Sequence, residues 1–270
     1  MAIGFGSDLA CRVVLGWRFH PVPNKAGFSP SHDTLYSTGD IADRGPKILE
    51  TIRFLYEMGD VYKPILGNHD VWLQNYLYDG RVPLHWLRNG GEETISSIEG
   101  GKVSQKEKDA LCQWLRNAPY CCVLEDAVIV HGGLVSELHS LSTLEALEKK
   151  TRTLPEELGD IGLKRTDREA QEVVRLIWDR TLLRDIALAE DGKGDFPQMP
   201  DIGGRLLIVG HTPLINPYYS RTQKLLCVDS GSCYKGGCLT LYSLDDHVYW
   251  RSDRDGAIAL DSNGSYEEHP

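Results

Sequence analysis

Apolar and polar residues alternate through Thr34-Leu35-Tyr36-Ser37-Thr38, as in a strand with one buried face. The alternation breaks at Gly39, so Asp40 is delivered where the strand ends. Pro46 suits a first helical position, and Ile48, Leu49, Ile52, Leu55 and Met58 then recur at helical spacing until Gly59 closes the element. A second short strand, Pro64-Ile65-Leu66, ends at Gly67-Asn68-His69-Asp70. Twice more an apolar run ends the same way: Val128-Ile129-Val130 leads into His131-Gly132-Gly133, and Leu206-Leu207-Ile208-Val209 into Gly210-His211-Thr212-Pro213. Open α/β sheets take their ligands at the carboxyl ends of strands, so these four endings predict one site.

The remaining pattern surrounds that unit. Val71 to Tyr78 reads as a short amphipathic helix whose aromatics belong to the core. Ser104 is placed to cap a helix that turns Leu111, Trp114 and Leu115 inward. Cys121 to Leu124 and Ala127 to Val130 pair as a hairpin around Glu125-Asp126. Residues 142–200 are charged, helical at first and loop-like from Asp191, and read as a cap-like insertion beside the sheets. From Arg205 the chain is mostly β, and 252–270 is a polar tail. With no linker or internal repeat, residues 1–270 are expected to form a single domain.

A net charge of −10 removes nucleic acid and anionic membrane as main partners, because neither attracts a surplus of carboxylates. No apolar run approaches the ~20 residues of a membrane span, and the start lacks a secretory pattern. Seven cysteines without paired spacing indicate a reduced protein, for which the cytoplasm is the expected location.

A carboxylate, an amide oxygen and imidazoles suit a borderline-hard divalent metal, since none of them is soft. The pieces Gly39-Asp40-Ile41-Ala42-Asp43-Arg44-Gly45, Gly67-Asn68-His69-Asp70, His131-Gly132-Gly133 and Gly210-His211-Thr212 resemble the calcineurin-like metallophosphoesterases. Within them Asp43-Arg44-Gly45 is similar to the phosphoprotein phosphatase branch, which also contains the symmetrical dinucleoside tetraphosphatases. Trp86 to Gly91, Ile177-Trp178-Asp179-Arg180 and Val228-Asp229-Ser230-Gly231 carry further similarity.

The resemblance implies an α/β fold, an αββα sandwich of two mixed sheets flanked by helices. It implies two divalent ions, with Mn²⁺ expected and Fe or Zn as alternatives, bridged by Asp40, with Asn68, His131 and His211 completing the shell of the second. His69 would be the general acid, Asp43 would orient it, and Arg44 and Arg180 would clamp the phosphate. An ion pair with Asp179 is the competing role for Arg180. The expected activity is phosphoester hydrolysis, foremost of phosphoserine and phosphothreonine in proteins, a choice resting on Asp43-Arg44-Gly45. The first alternative substrate is a dinucleoside tetraphosphate or another phosphorylated small molecule. A catalytically dead phosphate-binding or scaffold protein is the non-enzyme alternative.

Residues 1–26 depart from the family pattern. Where the resemblance calls for a strand and Gly-Asp-x-His-Gly, the chain has Gly6-Ser7-Asp8-Leu9-Ala10-Cys11. Asp8 could take the aspartate position, while Ala10 falls where the histidine belongs, and Pro21 and Pro23 interrupt the helix that should follow. A disturbed reading frame and genuine loss of the first metal's ligands both fit, with His20 as a conceivable replacement ligand.

Overall fold

A computed structural model describes residues 12–15, 26–149 and 168–260. Its strands form two mixed sheets. The first holds six in the order β11 (Ile258–Ala259), β10 (Val248–Arg251), β9 (Thr240–Ser243), β1 (Arg12–Leu15), β2 (Thr34–Ser37) and β3 (Tyr62–Lys63). The second holds five in the order β4 (Cys121–Val123), β5 (Ala127–Val130), β6 (Leu206–Val209), β8 (Leu225–Cys227) and β7 (Tyr218–Ser220). Strands β1, β2 and β3 run parallel, as do β5, β6 and β8, and the antiparallel strands lie to the outside.

Period-two alternation sorts the side chains into layers. Ala127, Ile129 and Ile208 turn towards the space between the sheets, where they meet Ile65, Leu226, Val228, Tyr242 and Tyr249. Their neighbours Val128, Val130, Leu207 and Val209 point the other way into a core shared with helices. Leu35, Leu241 and Trp250 form the outer core of the first sheet with Leu55 and Tyr62. Strands buried on both faces must be apolar throughout, which is why β5 and β6 read as unbroken hydrophobic runs.

The helices follow from the same economy of apolar spacing. Helix α1 (Ile48–Glu57) buries Ile48, Leu49, Ile52 and Leu55. Helix α2 (Asn68–Asp79) ends at Gly80, whose φ of 76° is the left-handed cap glycine adopts freely. A kinked stretch from Leu84 to Gly91 leads into α3 (Glu92–Gly100). Ser104 caps α4 (Gln105–Asn117) by accepting the Glu107 N–H at 3.2 Å. Helices α5 (Leu141–Lys149), α6 (Arg168–Trp178) and α7 (Thr181–Glu190) occupy the segment read from sequence as a cap. Their buried residues, among them Leu144, Val174, Ile177 and Ile186, join the core of the second sheet, so these helices are part of its covering layer.

Two boundaries differ from the sequence reading. The strand expected at Pro64-Ile65-Leu66 is instead β3 at Tyr62–Lys63, because Pro64 has no N–H for the ladder; Leu66 N–H bonds to the Pro119 carbonyl at 2.8 Å. The helix expected from Val71 begins at Asn68, so Asn68 and His69 occupy its first turn rather than a free loop. Among the described residues the first strand is β1, which begins at Arg12, after Asp8 in the chain.

Candidate active site

Asp40 follows β2, and Asn68 opens α2 just beyond β3; His131 follows β5, and His211 follows β6. Parallel strands thus bring four polar endings from two sheets to one edge. The close approach needs glycine. A Cβ on Gly67 would lie 2.1 Å from Asp40 Oδ1, and one on Gly39 would meet Gly67 N at 2.6 Å. Asp70 ties the two loops together: its carboxylate accepts N–H bonds from Asp40 at 2.6 Å, Ile41 at 2.8 Å and Gly67 at 2.8 Å. Asp40 returns the contact by accepting the His69 N–H at 2.9 Å through Oδ1. Asp40, Asp43, Arg44 and His211 all adopt positive φ, between 48° and 72°, a conformation that costs a non-glycine residue roughly 1 kcal/mol or more and persists where surrounding contacts enforce it.

Four ligand-type atoms converge in this corner. His131 Nδ1–H donates to the Thr38 carbonyl at 2.6 Å, which turns Nε2 inward. That nitrogen lies 3.0 Å from Asn68 Oδ1, 3.0 Å from His211 Nδ1 and 3.1 Å from Asp40 Oδ2. Asp40, His131 and His211 are all buried, with ligand atoms within 4.8 Å of one another. Burial opposes ionisation of Asp40, but the imidazoles of His131, His69 and His211 outweigh it and hold the carboxyl well below the usual range. For His131, burial works against protonation, but the charge and hydrogen bond of Asp40, the Thr38 carbonyl and the charge of Asp70 together raise its affinity for a proton. Burial first, then His131 and Arg180, drive His211 well below its ordinary value, which leaves a neutral imidazole with a lone pair to give. Burial and the neighbouring Asp40 push Asp70 up to about 7, against the pull of its three N–H donors. A buried carboxylate, amide oxygen and two imidazoles, crowded with no cationic side chain among them, fit a divalent ion.

Beside the cluster stands a second group. His69 Nδ1 is hydrogen-bonded to Asp43 Oδ2, which also accepts Trp86 Nε1–H at 2.8 Å; Asp43 Oδ1 accepts the Thr94 hydroxyl. The Asp43 N–H donates to Thr94 Oγ1 at 3.0 Å. Trp72 meets His69 edge-on at 4.9 Å between centroids, and Trp178 meets both Trp72 at 5.5 Å and His211 at 5.7 Å. One imidazole nitrogen of His69 is thus committed to Asp43, which fixes the plane of the ring.

The two arginines flank this arrangement. Arg44 Nη2 donates to Asn89 Oδ1 at 2.9 Å, and its guanidinium lies 5.7 Å from the Tyr234 ring centre. Arg180 precedes α7, is exposed, and has no ion pair among the described residues. Asp179 is engaged elsewhere: it pairs with Arg175 at 3.4 Å and accepts the N–H groups of Thr181 and Leu182 at the start of α7. Gly132 sets this distance, since a Cβ there would meet the backbone N of Trp178 and of Asp179 at 2.9 Å.

Asp40, Asn68, His131 and His211 therefore come together, with His69, Asp43, Arg44 and Arg180 around them; Asp8 and His20 lie outside the described residues. Sequence reasoning did not anticipate the clasp made by Asp70, or Thr94, Trp86 and Asn89 as partners of Asp43 and Arg44. Asp70 had one available signal, its place in Gly67-Asn68-His69-Asp70.

The fold has solved counterparts. A cold-active protein-tyrosine phosphatase of a psychrophilic Shewanella species superposes with a TM-score of 0.59 over 90% of this chain and 77% of that one, at 18% identity. In sequence, the symmetrical bis(5'-nucleosyl)-tetraphosphatase of Chromobacterium violaceum is 30% identical over 246 residues, covering 81% of this chain and 84% of that protein. The protein of the same name from Aromatoleum aromaticum is 32% identical over 117 residues, where the match spans 43% of this chain and 40% of its relative. Residues 17–215 match the family model described as calcineurin-like phosphoesterase, and the chain belongs to that family.

Proposed function

We propose that the chain is a metal-dependent hydrolase that cleaves dinucleoside tetraphosphates symmetrically into two nucleoside diphosphates. The observation carrying a hydrolytic reading is the physical joining of acid and ligand cluster, in which His69 bonds Asp43 through its ring and Asp40 through its backbone N–H. A binding module has no use for an oriented proton donor. The choice of substrate is supported by the relative that matches 81% of the chain. It reverses the weight that Asp43-Arg44-Gly45 carried towards phosphoproteins. Asp43 is occupied by His69, Trp86 and Thr94, a positioning task that either substrate requires, so its presence does not select between them.

Asp40, Asn68, His131 and His211 would hold the ion, which we take to be Mn²⁺. When bound, such a cation supplies Lewis acidity towards water and phosphoryl oxygens. The chain's own groups do the rest. Arg44, braced by Asn89, and the exposed Arg180 offer planar guanidinium forks to phosphate oxygens. His69, held at Nδ1, presents Nε2 to protonate the oxygen that leaves with the nucleoside diphosphate. Trp72 and Trp178 wall the site and limit water around the developing charge.

The test is product analysis. Purified chain with Mn²⁺ and a dinucleoside tetraphosphate, resolved by ion-exchange chromatography, is expected to yield nucleoside diphosphate alone, with kcat/KM above that for a phosphoserine peptide. Triphosphate with monophosphate as products, or preference for the peptide, would overturn the proposal.

A further inference from the structure

The metal-ligand cluster and His69 account for bond cleavage but offer nothing that distinguishes a nucleotide from bare polyphosphate. An aromatic group at the site's mouth does. Tyr234 is 41% exposed, and its ring contacts Arg44 of the site. It sits on a turn between β8 and β9 that is closely tied down. The Tyr234 N–H donates to the Gly231 carbonyl at 2.8 Å, and the Gly237 N–H to the Tyr234 carbonyl at 3.1 Å. Ser230 Oγ donates to the Cys238 carbonyl at 2.8 Å across the base of the turn. A Cβ on Gly237 would lie 1.7 Å from the Gly231 carbonyl oxygen, so the two arms of the turn are in backbone contact. The ring is therefore presented on a fixed support rather than on a mobile arm.

Its neighbours give the support a direction. Arg44 lies over one face, and both Arg44 and Arg180 are near enough to act electrostatically on the phenol. Tyr234 thus touches one of the two guanidiniums that flank the ligand cluster and lies within electrostatic reach of the other. A phosphate chain gripped by those arginines would carry its terminal nucleoside outward past this ring. Every nucleobase has a π-face, and stacking on an exposed aromatic is the usual way to hold a base without reading its identity.

Resting on the nucleotide reading above, we infer that Tyr234 is a specificity-determining residue: it stacks on one base of the substrate and makes the site prefer nucleoside polyphosphates to base-free ones. Because stacking is indifferent to hydrogen-bond pattern, adenine and guanine substrates should be accepted alike.

The experiment reads binding, so that it stands apart from turnover. Isothermal titration calorimetry with Mn²⁺ present compares ADP with inorganic pyrophosphate in the unaltered protein, Tyr234→Leu and Tyr234→Phe. The ratio of ADP to pyrophosphate affinity should fall by roughly 5- to 150-fold in Tyr234→Leu, the range expected for one stacked base. Tyr234→Phe, which keeps the ring, should retain the ratio. Circular dichroism of each variant shows whether it is folded. An unaltered protein with no preference for ADP, or a Tyr234→Leu variant that weakens both ligands equally, would overturn the inference; the latter would show the ring only bracing Arg44. Failure to split a dinucleoside tetraphosphate, with the ADP preference intact, would overturn the proposed reaction and leave the base platform standing.

Discussion

Replacing Asp43 by asparagine separates the charge of this residue from its geometry. The carboxylate accepts from three side chains, His69 and Trp86 at Oδ2 and Thr94 at Oδ1. An asparagine with its carbonyl oxygen in the Oδ2 position still accepts from His69 and Trp86, and its amide donates to Thr94 Oγ1 once that hydroxyl rotates. The Thr94 hydroxyl hydrogen, fully buried, then loses the carboxylate oxygen that accepted it, so the substitution removes charge assistance and also strands one donor. Lost charge assistance of about 1–1.5 kcal/mol sets a fall in kcat of roughly 10-fold, and the stranded hydroxyl adds about 1–3 kcal/mol to the destabilisation. His69→Asn removes the proton donor itself and should lower kcat by about 10²–10⁴. In a His69→Asn background, Asp43→Asn should cost no further activity, because a positioning residue has nothing left to position. The assay is steady-state hydrolysis of an alkyl and a good-leaving-group aryl phosphate by both single variants and the double, with urea midpoints for stability. The losses should shrink for the aryl ester, whose leaving oxygen needs little protonation. Additive losses in the double variant, or equal losses on both esters, would refute the acid and positioning assignments together.

Two further expectations follow from the ligand set and from a histidine elsewhere. Excess chelator should abolish activity and Mn²⁺ restore it best, and inductively coupled plasma analysis should find about one tightly held divalent ion per chain, since Asp40, Asn68, His131 and His211 form one compact group; two tight ions with normal turnover would show that further groups complete a second site. His139 is buried in its neutral form, accepting the Val135 N–H at 2.9 Å and donating to the Glu172 carbonyl at 3.0 Å, and burial lowers its affinity for protons. The unfolded chain therefore takes up the proton more readily, so stability from this residue is fully present above about pH 6.5 and is lost as pH falls through the folded value, with a slope of at most about 1.4 kcal/mol per pH unit. Urea midpoints across that range should fall less steeply for His139→Gln, and an unchanged slope would contradict the assignment.

The parts of this site that were legible in the sequence are those set by local pattern. A strand that stops at a glycine announces its ending, so Asp40, His131 and His211 could be placed from a few flanking residues. The pairing of His69 with Asp43 came from motif resemblance, and the hydrogen bond between them matches it. What stayed hidden depends on contacts between distant segments. Thr94 reaches Asp43 only because the kink at Asn89 and Gly90, whose φ is 108°, redirects the chain into α3. Asp70 was read as the tail of a motif, whereas its bonds to Asp40 and Ile41 exist only after β2 and β3 have paired; the third, from Gly67, is a local helix cap. Substrate choice was weighted by Asp43, a residue that faces inward to His69 and Thr94 and so carries no information about what lies beyond the phosphate.

The four ligand-type residues are divided between the sheets: Asp40 and Asn68 come from the ends of β2 and β3, and His131 and His211 from the ends of β5 and β6. A cation gripped by all four would be a cross-link through the sandwich, spanning a seam where Ile65, Ile129, Ile208 and Tyr242 pack together and His131 donates to the Thr38 carbonyl. The free energy of ligation would then be shared with assembly of the fold, because the unfolded chain cannot gather residues so far apart in sequence. Catalytic ion and structural clamp would be the same object, and conditions that strip the metal would loosen the joint between the layers as well as silence the chemistry.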